Sequence, residues 1–304
     1  MQKKNPFLKK DKHFYLHLSY FLFVTLSLIA LIVIVILSLL SIITIQDFVV
    51  KIIFGLIGLL IPFEKSAIEK LSETSLWETR LAYLRRKGEL KREDRIRISF
   101  ASVLLIQIDG RYLLVKNPNG FQLYENPSRT YRLTNEELTE LEIKYNVVED
   151  SFIKKNYNDY RLLVPVKNIK SFYKYFCLHI NPYEYDYSPM LDEVISLIGL
   201  NNSLFKESKI MFKHRIVNNI QYSRFTGYYE LNVIDVCVFS PTKEQLDILR
   251  TLSSTSNPCY ELATLEEIKH NGVNAEKGDL HAEIAHYVYD VIDENCSRNR
   301  TIIK

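Results

Sequence analysis

The chain has 304 residues, a length too great for one small domain and too short for three. With 25% charged residues, nine glycines and nine prolines, its composition excludes collagenous, low-complexity and disordered classes. The formal net charge of +3 comes from the N-terminal region. The remainder is near neutral, which argues against a duplex nucleic-acid binder with a long basic face.

The N-terminal region is strongly apolar. No charged residue occurs from residue 18 to residue 46, and the apolar run continues to Phe63 with Asp47 and Lys51 as interruptions. One transmembrane helix needs about 20 apolar residues, so this run is long enough for two. Both flanks are basic and are therefore expected on the cytoplasmic side, which requires an even number of crossings. The sequence predicts a two-helix transmembrane hairpin in residues 1–63, with one long tilted helix followed by an interfacial one as the alternative.

Small residues predict how the two helices of such a hairpin pack. Ser27 and Ala30 lie three apart on the first predicted helix, and Gly55 and Gly58 lie three apart on the second. A turn near residue 43 brings the two pairs to a similar depth, where small side chains allow close approach of helices in lipid. This hypothesis places the protein in the bacterial inner membrane as a multi-pass protein with a cytoplasmic C-terminal domain.

The next segment, residues 64–96, has apolar residues at roughly helical spacing up to Gly88, followed by mixed charges. It is predicted as a helical stalk and linker. From residue 97 the pattern changes to period two. Residues 98–108 and 111–116 are predicted strands, joined by Asp109-Gly110, a pair typical of a two-residue hairpin turn.

The remaining pattern of the segment 97–304 indicates an α+β domain with a mixed sheet and flanking helices. Further strands are predicted at residues 161–166, 209–218 and 228–239. Helices are predicted at residues 134–144, 169–177, 190–198, 241–252, 265–271 and 281–292. Thr134 and Glu137 form a capping box at the start of the first of these helices. The sequence contains no Gly-rich phosphate loop, nucleophile elbow or zinc-protease motif.

Two segments carry a resemblance to a known family. The hairpin at residues 97–117 and the segment Asn158–Pro165 resemble those of NUDIX domains. With the N-terminal apolar run, the chain is similar to the SMODS-associated NUDIX effectors of CBASS, the bacterial anti-phage defence systems. The resemblance implies a NUDIX-like fold for residues 97–304.

A degenerate NUDIX box can be aligned within this resemblance. Glu184, Glu193 and Gly199 match signature positions, whereas Asp192 stands in place of the Arg, and Ser196 and Leu197 replace the paired Glu residues. NUDIX hydrolysis needs Mg²⁺ held by carboxylates, and a hydroxyl and an aliphatic group cannot supply them. The resemblance with these departures implies a domain that is not an enzyme and has no metal or other cofactor.

The resemblance also implies a function. The NUDIX-like domain is expected to bind a cyclic oligonucleotide from a partner nucleotidyltransferase without hydrolysing it. Binding is expected to drive homo-oligomerisation of the hairpins in the lipid bilayer and disruption of the inner membrane. Aromatic side chains stack on bases, and Arg or Lys contacts phosphate. The candidate ligand-binding residues are Lys116, Phe121, Tyr124, Arg161, Tyr222 and Arg224.

Two alternatives stay open at this point. One is a membrane-anchored nucleotide pyrophosphatase that uses other carboxylates, such as Glu137, Glu140 or Glu142 on the helix predicted at residues 134–144. The other is a passive membrane-tethered adaptor. Turnover of nucleoside diphosphate substrates distinguishes the first alternative, and binding of cyclic nucleotides distinguishes the effector from the adaptor.

Overall fold

The computed structural model describes residues 25–27, 29, 32–33, 36, 76–117, 122–150, 160–255, 257–273, 279–280, 282–293 and 300–303. The chain divides into two compact units, Met1–Tyr83 and Leu84–Lys304. A helix, α1, spans the boundary from Leu76 to Lys87 and ends at Gly88, whose φ of +78° is the left-handed conformation typical of a helix stop.

The predicted multi-pass membrane localisation is contradicted. Among the described residues, no helix is both long enough and apolar enough to cross a bilayer. Helix α1 has 12 residues and is about 18 Å long, whereas the hydrocarbon core is about 30 Å thick. Ser27 lies on a helix, but Ala30, Gly55, Gly58 and most of the predicted hairpin lie outside the described residues.

The second unit is an α+β domain, as predicted. Its strands are β1 (Arg95–Leu105), β2 (Gln107–Ile108), β3 (Arg111–Lys116), β4 (Tyr124–Glu125), β5 (Ser128–Thr130), β6 (Val148–Glu149), β7 (Arg161–Pro165), β8 (Lys209–Asn218), β9 (Gln221–Tyr222), β10 (Tyr229–Ser240), β11 (Tyr260–Thr264) and β12 (Arg300–Ile303). Its helices are α2 (Asn135–Tyr145), α3 (Ile169–His179), α4 (Ser188–Leu197), α5 (Lys243–Arg250), α6 (Leu265–Lys269) and α7 (Tyr287–Ile292), with 3₁₀ turns at Asn202–Phe205 and Thr251–Ser254.

The strands form two sheets. The main sheet has the order β12-β8-β10-β1-β7-β6, with β5 paired to β1 and β9 paired to β10. It is mixed, because β1 and β10 run parallel whereas β1 and β7 run antiparallel. The second sheet has the order β11-β3-β2, with β4 paired to β3. The predicted hairpin turn between β2 and β3 is confirmed: Asp109 and Gly110 both have positive φ, as a type I′ turn requires.

Local capping determines where several helices begin. The predicted capping box of Thr134 and Glu137 is present at the start of α2, and a second capping box, formed by Thr264 and Glu267, is present at the start of α6.

Helix α7 is shorter than predicted and begins only at Tyr287. The backbone at residues 283–285 instead hydrogen-bonds with Tyr124 of β4, so tertiary pairing replaces the first turns of the predicted helix.

Strand β1 separates two packed layers. One set of alternate residues packs on the helices: the Phe100 ring stacks on Phe176 of α3 with centroids 3.6 Å apart, and Ser102 contacts Met190 of α4. The other set includes Ser99 and Val103 and points to the opposite face of the sheet. There a second apolar core joins the main sheet to the second sheet and to helices α6 and α7.

A buried ion pair lies on the face of the main sheet that packs on α3 and α4. Arg215 donates from Nε to Asp235 Oδ1 at 2.6 Å and from Nη2 to Oδ2 at 2.8 Å. Tyr131 donates its hydroxyl to the same carboxylate at 2.5 Å. Burial opposes the charge of Arg215, but the hydrogen bonds and charge of Asp235 outweigh that effect and raise the Arg215 pKa above its usual value.

Candidate functional site

A cavity of about 750 Å³ lies on the face of the main sheet opposite to α3 and α4. Ligand pockets in proteins typically range from about 300 to 1,000 Å³, so this cavity is large enough for a nucleotide-sized molecule. Strands β1, β8 and β10 and helix α7 supply most of its walls. The side chains that line it include Ser99, Ala101, Val103, Ser128, Ile216, Asn218, Asn219, Gln221, Asn232, His286 and Asp290.

The lining is rich in neutral polar groups. Carboxamides come from Asn218, Asn219, Gln221 and Asn232, and hydroxyls come from several serines and two tyrosines. The carboxylates of Glu230 and Asp290 are the acidic groups, and none of the described lining residues is Lys or Arg. Carboxamides and hydroxyls both donate and accept hydrogen bonds, so the wall suits a neutral ligand with mixed polar edges better than a phosphate.

Asn126 is the most informative residue of the lining. Its side chain is only 3% exposed, and within the described residues neither Nδ2 nor Oδ1 has a hydrogen-bond partner. Asn126 lies between β4 and β5 and precedes Pro127, which favours an extended backbone at this position. The Pro127 carbonyl accepts a hydrogen bond from Leu104 of β1, which fixes this segment against the main sheet. A buried amide without hydrogen-bond partners is costly to the folded state.

Next to Asn126, a buried carboxylate holds one wall of the cavity in place. Glu125 accepts hydrogen bonds from Asn117 Nδ2 at 2.9 Å and from the Tyr287 hydroxyl. Burial raises the pKa of Glu125, and the hydrogen bond from Asn117 partly opposes that shift. Tyr287 lines the cavity, so this contact fixes helix α7 relative to β4.

A chain of polar contacts connects the cavity wall to the β9–β10 hairpin. Glu230 accepts from Thr226 Oγ1 at 2.7 Å and from Arg97 Nη1 at 3.4 Å. Arg97 Nε also donates to Asp150 at 2.5 Å. The hairpin carries Tyr222, which lines the cavity while remaining 57% exposed, and an exposed aromatic ring at this position can stack on a base.

The predicted ligand-binding residues do not form one cluster. Tyr222 lines the cavity, and Arg224 is exposed two residues further along the same hairpin. Arg161 pairs with Ser99 in the β1–β7 register and therefore projects from the cavity face of the sheet. Lys116 and Tyr124 pair with each other in the second sheet and do not line the cavity. The sixth candidate, Phe121, lies outside the described residues, and the binding role of all six stays a prediction.

Sequence reasoning missed Asn126 and the other carboxamides of the lining. The Asn126-Pro127 dipeptide is a signal for extended backbone, but it carries no information about burial or about hydrogen-bond partners. Phe100, whose alternation with apolar neighbours favours a core position, is fully buried.

The aligned NUDIX box lies on the other side of the main sheet. Helix α4 carries Asp192, Glu193, Ser196 and Leu197, whereas Gly199 follows it with a φ of +80° and Glu184 lies in the preceding turn. None of these residues lines the cavity. The box and the cavity lie on opposite faces of the main sheet. Ser102 of β1 contacts α4, whereas the adjacent residues Ala101 and Val103 line the cavity.

Two positions of the aligned box, Ser196 and Leu197, carry no carboxylate. Glu193 forms an ion pair with Arg129 at 3.2 Å, the Ser196 hydroxyl accepts from Asn202 at 2.8 Å, and Leu197 has no donor atom. Within the described part of the chain, no group of three His, Cys, Asp or Glu side chains is arranged to hold a metal ion. Of the alternative carboxylates on α2, Glu137 is engaged in the capping box.

These observations define an α+β domain with a mixed central sheet, flanking helices and a polar cavity on one face. The profile of the SMODS-associated NUDIX domain matches residues 95–290. That match covers more than half of the chain, and the chain therefore belongs to the SMODS-associated NUDIX family. The resemblance of residues 97–117 and 158–165 to NUDIX domains is thereby confirmed.

Comparison with solved structures gives distant similarities. The chain is similar to a NUDIX hydrolase from Nitrosomonas europaea, with 11% identity and a TM-score of 0.24 over 66% of this chain and 90% of that one. It is also similar to a bifunctional NMN adenylyltransferase/ADP ribose pyrophosphatase from Francisella tularensis, complexed with AMP and an MN ion. There the identity is 8% and the TM-score 0.24, over 78% of this chain and 51% of that one. No curated protein matches the chain.

Proposed function

We propose that this SMODS-associated NUDIX domain is a receptor for a nucleotide signal, namely a cyclic oligonucleotide made by a partner nucleotidyltransferase. The domain binds this ligand without hydrolysing it, and binding promotes self-association of the chain. The observation that carries the proposal is a cavity of about 750 Å³ that is lined by the carboxamides of Asn218, Gln221 and Asn232 and by the exposed ring of Tyr222. A nucleobase offers adjacent donor and acceptor groups that pair with carboxamides, and its ring can stack on an aromatic side chain.

The absence of hydrolysis is supported by the side chains at the NUDIX box. Metal-assisted hydrolysis requires several free carboxylates that converge on one ion. Glu193 is engaged with Arg129, and Ser196 and Leu197 contribute no carboxylate. The competing function is a NUDIX nucleotide pyrophosphatase that uses other carboxylates, such as Glu140 or Glu142 on α2.

Self-association connects binding to an output. A ligand that shifts an equilibrium from 1:99 to 99:1 in favour of the assembled state must prefer that state by about 5.5 kcal/mol. A cyclic oligonucleotide carries at least two bases, so it can contact the cavity of one protomer and the surface of another. This geometry makes assembly dependent on the ligand.

The test is calorimetric titration of the full-length chain with a panel of cyclic di- and trinucleotides, in the presence and absence of Mg²⁺. Each mixture is then separated by chromatography to recover the nucleotide, and the protein is analysed by sedimentation velocity. We expect saturable binding of at least one panel member, recovery of that nucleotide intact, and a larger sedimentation coefficient in its presence. Mg²⁺-dependent conversion of the bound nucleotide, or of nucleoside diphosphate substrates, would establish the pyrophosphatase instead.

A further inference from the structure

Resting on the proposed function, we infer that Glu230 is the residue that selects the base of the ligand, and that the base it selects is guanine. Its carboxylate accepts the two neighbouring N–H groups of guanine, and a carboxamide beside it donates to the remaining acceptor. The ligand class that fits is therefore a cyclic oligonucleotide that contains guanine. The proposed function leaves the identity of the base open.

The first argument is that Glu230 is held through one oxygen and is accessible at the other. Oε1 accepts from the Thr226 hydroxyl at 2.7 Å and from Arg97 Nη1 at 3.4 Å. Among the residues that the structure describes, none hydrogen-bonds Oε2, and this atom, unlike the amide atoms of Asn126, retains accessible surface. Because Glu230 lines the cavity, its second oxygen is available to a ligand.

The second argument is that Glu230 is oriented before a ligand arrives. Arg97 pairs with Glu230 and also with Asp150 at 2.5 Å, so two carboxylates hold its guanidinium in place. The side chains of Arg97 and Glu230 are only 13% and 16% exposed, which limits their freedom to reorient. An ionised carboxylate accepts hydrogen bonds and donates none, so Oε2 can pair only with a donor of the ligand.

The third argument is the pattern of donors on the four bases. The Watson–Crick edge of guanine carries two adjacent donors, N1–H and N2–H, next to the O6 acceptor. One carboxylate oxygen has two lone pairs and can accept from both donors. Adenine and cytosine place a ring nitrogen acceptor beside their amino group, and uracil has a carbonyl on each side of its single N–H. Each of these three bases therefore brings lone pairs against the carboxylate.

The fourth argument is the position of two carboxamides beside Glu230. Gln221 pairs with Glu230 in the β9–β10 register, and Asn232 lies two residues further along β10, on the same face of the sheet. Both residues line the cavity. Two residues of a strand span about 7 Å, so a base that contacts Glu230 is within reach of either amide. A carboxamide N–H can donate to O6, which completes the recognition of guanine.

The experiment titrates the full-length chain with guanosine, inosine and adenosine, and separately with cyclic di-GMP and cyclic di-AMP. Inosine keeps the N1–H and O6 groups of guanosine but lacks the N2 amino group. We expect guanosine to bind about 5- to 150-fold more tightly than adenosine, which is the discrimination of one good bidentate contact, and inosine to lie between them. Cyclic di-GMP should likewise bind more tightly than cyclic di-AMP.

Glu230→Gln tests the assignment through a reversal of preference. Thr226 and Arg97 both donate to Oε1, so the glutamine has to present its carbonyl oxygen to them and its amide N–H groups in place of Oε2. This donor opposes N1–H of guanine and suits the N1 acceptor of adenine. We expect guanosine to lose at least roughly tenfold in affinity and adenosine to gain, whereas a variant that merely folded poorly would weaken both.

Glu266→Gln is the control for this substitution. Glu266 also forms an ion pair, with Lys269 at 3.6 Å, but it lies on α6 and does not line the cavity. Its affinities for guanosine and adenosine should equal those of the unaltered chain.

The outcomes separate this inference from the proposed function. If adenosine binds as tightly as guanosine, or if Glu230→Gln keeps the preference of the unaltered chain, the inference is wrong, while intact binding of any cyclic nucleotide leaves the receptor function standing. If no nucleoside binds, the order of cyclic di-GMP and cyclic di-AMP decides, and equal affinity overturns the inference. If guanosine is preferred but no cyclic nucleotide binds, the role of Glu230 stands and the proposed ligand class fails. If nothing in either series binds, both are wrong.

Discussion

Asp235→Ala is expected to lower the free energy of unfolding by about 3–5 kcal/mol, because it leaves the guanidinium of Arg215 buried without its counter-ion. The side chains of Asp235 and Arg215 are 1% and 7% exposed, so water cannot replace the lost carboxylate. The change also removes the acceptor of the Tyr131 hydroxyl, which then has only the 3.3 Å contact with Tyr187. Each of these losses leaves a polar group without adequate compensation in an apolar layer.

For a unit of this size, 1 kcal/mol corresponds to a change of roughly 2–4 °C in the midpoint of thermal unfolding, so the expected decrease is about 6–20 °C. Arg215→Met combined with Asp235→Leu should recover most of the loss, because two apolar groups of similar volume leave no buried charge. The control is Asp247→Ala, which breaks an exposed ion pair with Arg250 and should change stability by less than about 1 kcal/mol.

The assay is urea unfolding of the full-length chain, followed by far- and near-ultraviolet circular dichroism, with thermal scans as a second measure. The reasoning would be refuted by a loss below about 1 kcal/mol for Asp235→Ala. It would also be refuted if the double variant were no more stable than the single one, since uncompensated charge would then not be the cause.

Four further outcomes follow from the cavity and the aligned box. Burial raises the pKa of Glu125, so the folded state binds this proton more tightly than the unfolded state, and stability falls as the pH rises through the folded-state pKa. Glu125→Gln should therefore flatten that decline in unfolding measured from pH 4 to pH 8. Asn126→Ala should leave the unliganded chain as stable as before, within about 1 kcal/mol, because the lost packing is offset by removal of two unsatisfied groups; a larger loss in urea unfolding would show that the amide has partners. Tyr222→Ala should weaken cyclic nucleotide binding by about 1–3 kcal/mol in calorimetry while Tyr222→Phe does not, if stacking is its contribution. Ser196→Glu with Leu197→Glu should not create Mg²⁺-dependent turnover in a phosphate-release assay, because both positions face away from the cavity.

Short-range features of the domain could be predicted because their determinants lie within a few residues. Asp109-Gly110 specifies its turn through backbone conformations available to those two residues. The capping box of Thr134 and Glu137 closes over three residues and needs no tertiary contact. Strand β3 has the bounds predicted from alternation alone, residues 111–116.

Where prediction and structure differ, a distant partner is responsible. The predicted helix at residues 281–292 lost its first turns because the backbone at residues 283–285 pairs with β4, more than 150 residues earlier. Helix α4, which carries the aligned box, is amphipathic. The spacing of its apolar residues identifies the side of the helix that is buried, but not the face of the sheet against which that side packs. Its separation from the cavity is therefore invisible in the sequence.

The amino-acid sequence by itself determined the α+β class, the NUDIX resemblance and most element positions, since helix caps, turns and periodicity are local properties. Only the tertiary structure decided that Asn126, Asn218, Asn232 and Tyr287 share one cavity, because their proximity depends on the pairing of distant strands and on the packing of α7. The missing partners of the Asn126 amide are likewise a property of its surroundings, and no neighbour in the sequence encodes them.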